Sequence, residues 1–367
     1  MTLLRELITA RDTLGMADSG VNRRTLLGGT AIGLAGMAGA AGVASAEPAG
    51  AQATAMGPWT YVPPGESIKA ALDTGARAVQ LGDGDYRISE PLVLPSGATI
   101  RGLGRRTRLL ATTTMTTVIA IGNGGPVESV HVADLLIECD GKASTGIDLN
   151  VVGTTGNYYW EPDSICRLDN LRIYQPVLDG VQYRGEDTQS CVSSRIRVRD
   201  AGRYGYHIQA PDNWWIACEA TTSKQTGSSA GFGVFGANNF FQSCKAWYCR
   251  DYGFHVRGVR NKFIGCEAQD TRSHGWYIEW GRNVYTGCSA DSASFYDVGG
   301  TAAAADGFYV VDGGDTSMVG CQAFDRKADG HAPQQRYGFN VPASMITNGQ
   351  LVGHSGYDNV SGLVNRR

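Results

Sequence analysis

His207 and His255 are two of only six histidines in the 367-residue chain. Each follows a glycine and an aromatic residue and precedes an aliphatic one, in GYHI at 205 and GFHV at 253. Two residues further on stand Gln209 and Arg257, and GWYIE at 275 sets Tyr277 and Glu279 at the same two offsets. An arginine, a carboxylate and two groups able to exchange protons can abstract a proton next to a carboxylate. Arg257 would neutralise a substrate carboxylate and acidify its neighbouring C–H, with His255 or Tyr277 as base and the other as acid. That is β-elimination from a uronic acid. Glu279 with a second carboxylate, Asp270 or Asp291, would instead make the acid/base pair of a hydrolase. The plain alternative is a solvated strand face of ordinary polar residues.

These residues are placed by a repeat. Cys218, Cys244, Cys266, Cys288 and Cys321 are spaced by 26, 22, 22 and 33 residues, and each is followed two positions on by alanine. Asn213, Asn239, Asn261 and Asn283 stand five positions before the first four. A Gly-aromatic-x-Val/Ile tetrad recurs as GYHI, GFGV, GFHV, GWYI, GFYV and GFNV, with GIDL at 146 and GVQY at 180 as worn copies. No helical period is present. Short apolar strands broken by Gly and Asn at this period predict a single-stranded parallel β-helix, an all-β solenoid whose equivalent residues stack about 4.8 Å apart. Stacked asparagines then bond along the ladder. Cysteine and alanine, two apart, both face inward, so the cysteines read as buried thiols rather than disulfide partners. Nine cysteines leave at least one unpaired within the chain.

Wrapped this way, the residues between the inward ones form two outward files. The first reads Asp148, Gln182, His207, Gly233, His255, Tyr277, Tyr309 and Asn340, and the second Asn150, Arg184, Gln209, Phe235, Arg257, Glu279 and Val311. Gly233 would leave a notch between the histidines of roughly 10 Å, room for a sugar ring or two. Catalysis is assigned to His255, Tyr277, Arg257 and Glu279, and substrate binding to His207, Gln209, Arg184 and Tyr309. Asp270 and His274, in the corner DTRSHG, would wall the groove, and Trp160, in the insertion GNYYWEPD, would stack on sugar. As both side chains point away from the core, replacing His255 or Tyr277 should barely change the melting temperature. No metal-ligand spacing or phosphate loop stands out, so neither metal nor cofactor is expected.

The segment SIKAALDTGARAVQLGDGDYRISEPLVLPSGATIRGLGRRTRLLA resembles the opening of the pectate-lyase-like superfamily of right-handed β-helices. The resemblance extends over roughly residues 59–360. It implies a right-handed coil of about ten or eleven turns, capped by a short helix near Ser67–Asp73. The superfamily holds polysaccharide lyases, glycoside hydrolases, epimerases, fructotransferases and phage tailspikes, so the fold does not fix the chemistry. The Asp-Asp with Gly-His-Gly, WiDH and RxPxxR motifs of better-known members are missing, which argues against calcium and pectate. The sequence favours a secreted carbohydrate-active enzyme, first a lyase acting on a uronic-acid polysaccharide, with a glycoside hydrolase or glycosyl/fructosyl transferase and a non-catalytic glycan- or cell-wall-binding protein as alternatives. An exported small-molecule tailoring enzyme on the same scaffold is a further alternative.

The N-terminus gives a location. Arg23-Arg24, a Gly/Ala-rich apolar run and Ala44-Ser45-Ala46 make residues 1–46 a cleavable export signal. The arginine pair resembles a twin-arginine signal, and Met16 is an alternative start. Residues 47–58 read as a linker and 59–367 as the β-helix domain. The product would be extracytoplasmic, without a membrane anchor once the signal is cleaved. A formal net charge of −3 offers no basic surface for nucleic acid. The implied partner is a polysaccharide or oligosaccharide; the sequence leaves a homo-oligomer open.

Overall fold

The structure is a computed structural model and describes residues 54–56, 58–153, 166–223, 229–327 and 330–367. The described residues lie in one compact unit, Gly50–Arg367. Residues 1–46, where an export signal is expected, lie outside the described residues, as do Trp160 and its neighbours Tyr158 and Tyr159.

Among the described residues the chain winds into a right-handed parallel β-helix. An eleven-stranded sheet holds one strand from each turn, running from Leu92–Leu94 to Gly362–Arg366. A second sheet of 21 strands carries the two shorter strand files of the coil, such as Lys262–Ile264 and Glu267–Thr271. A corner with one left-handed residue joins those two files: Ala217, Ser243, Gly265, Gly287 and Gly320 have φ of 52°, 53°, 57°, 59° and 63°. The expected cap is the helix Ile68–Asp73, whose N-cap Ser67 Oγ accepts the Ala70 N–H at 3.1 Å.

The recurring columns have separate physical causes. The Asn213, Asn239 and Asn261 backbone N–H groups donate to Asn239, Asn261 and Asn283 Oδ1 at 2.9, 2.8 and 2.9 Å. The side-chain Nδ2 of Asn239, Asn261 and Asn283 donates to Ala210, Gly236 and Gly258 carbonyls at 3.1, 3.1 and 3.0 Å. The ladder thus satisfies buried corner groups along its four turns. Glycine opens the Gly-aromatic-x-Val/Ile tetrad because its Cβ would stand 2.3, 2.5 and 2.6 Å from the Ala220, Ala246 and Ala268 methyls at Gly205, Gly231 and Gly253. The glycine and Cys-x-Ala columns are therefore one contact between the two sheets. All nine cysteines are free and buried. Burial pushes the Cys244 and Cys288 thiols up, and Cys249 to about 12. Next to them the rings of Phe232, Phe254 and Trp276 stack with centroids 4.7 and 3.9 Å apart.

Candidate functional site

The first outward file is continuous in register. Asp148 pairs with Gln182, Gln182 with His207, His207 with Gly233, Gly233 with His255, His255 with Tyr277, Tyr277 with Tyr309 and Tyr309 with Asn340. The file is not the solvated face that alternation alone suggests. His207 and His255 are only 8% and 7% exposed. The cover comes from the residue before each recurring glycine. Tyr204 and Tyr252 lie there, with ring centroids 4.8 Å from His207 and 5.5 Å from His255. This column was missed by the sequence reading, although Tyr204, Ala230, Tyr252, His274, Asp306 and Tyr337 all directly precede a tetrad glycine.

The expected notch at Gly233 is filled. A Cβ at Gly233 would meet Tyr204 Cδ1 and Cε1 at 2.8 Å each and Phe235 Cε2 at 2.9 Å. The glycine makes room for two rings of the protein itself. Phe235 stands edge-on between the histidines, 5.6 Å from His207 and 5.3 Å from His255.

At the centre, His255 Nε2 meets Glu279 Oε1 at 2.5 Å, and Arg257 Nε stands 3.7 Å from Glu279 Oε2. His255 Nδ1 is buried without a hydrogen-bond partner. One ring nitrogen is therefore committed to Glu279 and the other is sealed off, so His255 positions the carboxylate and has no exposed basic nitrogen. Glu279 is the more accessible group, its side chain 26% exposed against 9% for His255. Tyr277 lies 5.3 Å from the His255 ring. Burial first, and Glu279 second, raise the Tyr277 pKa, which keeps the phenol protonated and suits it to donate. Trp280, also missed, is 50% exposed, with the Arg257 guanidinium 5.5 Å from its ring centroid. It lines a hollow of about 390 Å³ with Val259, Arg282, Asp312 and Asp315.

Above this centre the rings stack along the coil. Tyr277 lies 4.8 Å from Tyr252 and 5.8 Å from Tyr309, and His274 lies 4.6 Å from Tyr309. Near-parallel planes leave mainly ring edges for solvent. His274 Nδ1 accepts the Asp306 N–H at 2.9 Å, and burial lowers its pKa to about 4. Tyr309 Oη accepts from Arg367 Nη1 at 3.0 Å.

The remaining sequence candidates fall elsewhere. His207 Nδ1 contacts Asp179 Oδ2 at 3.0 Å, and Arg203 Nε donates to Asp179 Oδ1 at 3.0 Å, a buried network that pins His207. Arg184 forms a fork with Asp148 at 2.9 and 2.7 Å. Gln209 is exposed at the end of its strand. Asp270 does not wall this face. It belongs to Glu267–Thr271 in the other sheet, fully buried, where Arg326 Nη2 donates to it at 2.7 Å and Arg326 Nη1 to Asp291 at 3.2 Å. Five residues, Thr271 to Gly275, separate Asp270 from the strand Trp276–Ile278, enough to change sheets. The carboxylates considered as partners for Glu279 thus pair with Arg326. Among the described residues no group of three His, Cys, Asp or Glu side chains is placed to hold a metal ion.

Comparisons with known proteins agree with this architecture. A family model described as "Right handed beta helix region" matches residues 158–331. The catalytic domain of a GH87 α-1,3-glucanase, in complex with nigerose, superposes with a TM-score of 0.55 at 14% identity, over 86% of this chain and 67% of that one. The mannuronan C-5 epimerase A-module of Azotobacter vinelandii gives 0.51 at 12% identity, over 81% and 91%. Among curated proteins nothing matches the sequence. At such identities the likeness is one of fold: the chain is a right-handed parallel β-helix of the kind on which these enzymes are built.

Proposed function

We propose that the protein is an exported carbohydrate-active enzyme that cleaves an acidic polysaccharide by β-elimination. The observation that carries this reading is the partly exposed Glu279 carboxylate, held by His255 and Arg257 beside a protonated Tyr277 and an exposed Trp280. Arg257 swings from Glu279 to the uronate carboxylate and stabilises the charge that develops there. Glu279 takes the C5 proton, and the C–H electrons become the C4–C5 double bond. The C4–O bond breaks, and the leaving oxygen takes the Tyr277 proton. Proton return from Glu279 to Tyr277, directly or through water, resets the site. Trp280 offers a ring face for a sugar beside the reacting one. A hydrolase is less well supported, because the second carboxylates proposed for it are tied to Arg326. The epimerase and the glucanase named above support the substrate class only by sharing the scaffold.

The test is a panel of acidic and neutral polysaccharides, read in the ultraviolet for unsaturated uronate and in parallel for reducing ends. We expect both signals on an acidic polymer, and a loss of about 10²-fold or more in Glu279→Gln and in Tyr277→Phe. Reducing ends without unsaturated product would replace the lyase by a hydrolase. Binding without either product would leave a glycan-binding β-helix. Export belongs to the same proposal: the mature protein should begin at Glu47, which mass spectrometry of the secreted product reads directly.

A further inference from the structure

The other sheet carries a second feature that the proposed reaction does not use. Trp247 and Tyr248, at the end of the strand Lys245–Cys249, set their rings 5.6 Å apart at 84°. With Arg199, Asp200, Thr221, Thr222, Ser223, Arg250 and Val298 they line a groove of about 270 Å³. The Arg199 guanidinium stands 5.9 Å from the Trp247 ring centroid. The neighbouring outward file is neutralised in place: Arg197 pairs with Glu219 at 3.2 Å and Lys245 with Glu267 at 3.1 Å. Arg199 and Arg250 are not. Among the described residues no carboxylate stands within ion-pair distance of either guanidinium, although Asp200 lines the same groove.

Hydroxyls fix the backbone that carries these groups. Thr221 Oγ1 accepts the Asp200 N–H at 2.8 Å, Thr222 Oγ1 accepts the Arg250 N–H at 2.8 Å, and Ser223 Oγ donates to the Asp200 carbonyl at 3.1 Å. Asp200 and Tyr248 both take left-handed backbone, with φ of 57° and 51°, which turns them out at the same corner of their turns. Two guanidiniums ask for an anion. An indole face asks for a flat apolar surface, and the Asp200 carboxylate asks for hydroxyl donors. A ring that carries a carboxylate on one side and hydroxyls on the other meets all three demands. The groove has room for roughly one or two pyranose rings.

We propose that the Arg199–Trp247–Arg250 groove is a second glycan-binding site, specific for an acidic sugar, on a different sheet from the Glu279 site. The carboxylate lies between the two arginines, the ring lies against Trp247, and hydroxyls donate to Asp200. The site would hold a polyuronate on the enzyme while the other face acts. Its ligand class follows from these residues and does not require the elimination chemistry.

The test is calorimetric titration of the full protein carrying Glu279→Gln with trigalacturonate, and with maltotriose as the neutral control. We expect a component of the acidic isotherm that weakens by about tenfold or more in Arg199→Gln/Arg250→Gln and survives Arg257→Ala. Fluorescence supplies a second readout in a protein with both arginines intact: quenching by trigalacturonate should be smaller in Trp247→Phe. The proposal falls if trigalacturonate does not bind, if the arginine changes leave the isotherm unaltered, or if Trp247→Phe quenches like the parent. Equal binding of maltotriose, or displacement by inorganic sulfate at equal concentration, would also overturn an acidic-sugar site. A lyase assay that fails while this component persists refutes the proposed reaction alone.

Discussion

The asparagine ladder and the outward stripe run up the same coil, and they treat repetition in opposite ways. The ladder uses one residue type at each of four turns, and each asparagine side chain accepts a corner N–H and donates to a corner carbonyl of the preceding turn. The stripe changes residue at nearly every turn, from glutamine through histidine and glycine to tyrosine. It leaves His255 Nδ1 buried without a partner. A solenoid needs its inward and corner columns to agree because each turn supports the next. It places no such demand on an outward column. Variation there, together with an unsatisfied buried atom, marks where the chain has departed from what stacking alone requires.

The sharpest break in this comparison is His255→Ala. In the stripe it should cost about 10²-fold or more in the rate on a responsive polysaccharide, because Glu279 loses the partner that positions it. It should also cost stability of about 1–3 kcal/mol, since the ring is buried against Phe235, Tyr252 and Tyr277. That differs from the unchanged melting temperature expected from the sequence. Rates and denaturant midpoints measured on one preparation separate the two effects. If activity stays within about twofold of the parent, Glu279 is not set by His255.

Asn261→Ala should do the reverse. It strands the Asn239 N–H and the Gly236 carbonyl in the corner, where each unmet group costs about 1–3 kcal/mol. The loss should read out in urea unfolding, with the Michaelis constant unchanged. A ladder variant that destabilised by less than about 1 kcal/mol would mean that water satisfies the corner and that the ladder is decoration.

Much of the fold was legible because its columns repeat. The Gly-aromatic-x-Val/Ile tetrad and the cysteine and asparagine spacings lead to the observed registers without a shift, from His207 against Gly233 to Tyr277 against Tyr309. The same reasoning gathered His255, Arg257, Tyr277 and Glu279 on two adjacent turns, and the structure pairs His255 with Tyr277 there. What it missed depends on departures from strict alternation. The tetrad glycine turns inward toward alanine, so the residue before it turns outward, and Tyr204 and Tyr252 cover a face that reads as open. Asp270 is close to Tyr277 in sequence but sits across a corner, in the other sheet. Trp280 follows the strand, past the last column that the repeat defines.

His274 tests the aromatic part of the stripe by pH. Its folded pKa is about 4, lowered by burial, against about 6.5 for a solvated histidine. Between these values the unfolded chain binds more protons than the folded one. Stability therefore rises with pH across this window, is fully present above about 6.5 and is lost as pH falls towards 4. The effect is on the order of 2 kcal/mol, and it should appear as a difference between the parent and His274→Gln in unfolding free energy at pH 7 and pH 4.5. If the two respond to pH in parallel, the stack with Tyr309 does not hold His274 neutral.

The smallest expected effect is at Gly233, where the stripe contains no side chain at all. Gly233→Ala places a methyl within 2.8 Å of the Tyr204 ring and 2.9 Å of Phe235. The backbone there is not left-handed, so the cost arises from crowding rather than from conformation. Rings can tilt where backbone cannot, which puts the loss near the low end for overpacking, about 1 kcal/mol. The informative part is where the displacement travels. Tyr204 contacts His207, and Phe235 contacts both histidines. A tilt of Phe235 should therefore reach His255 and lower the rate by a fewfold, while the same substitution, were the notch open, would change nothing but the space for substrate. Proton chemical shifts of the His207 and His255 rings report the difference: both should move in Gly233→Ala without ligand. Shifts that stay fixed, with the Michaelis constant alone rising, would restore the open notch and return Gly233 to the substrate.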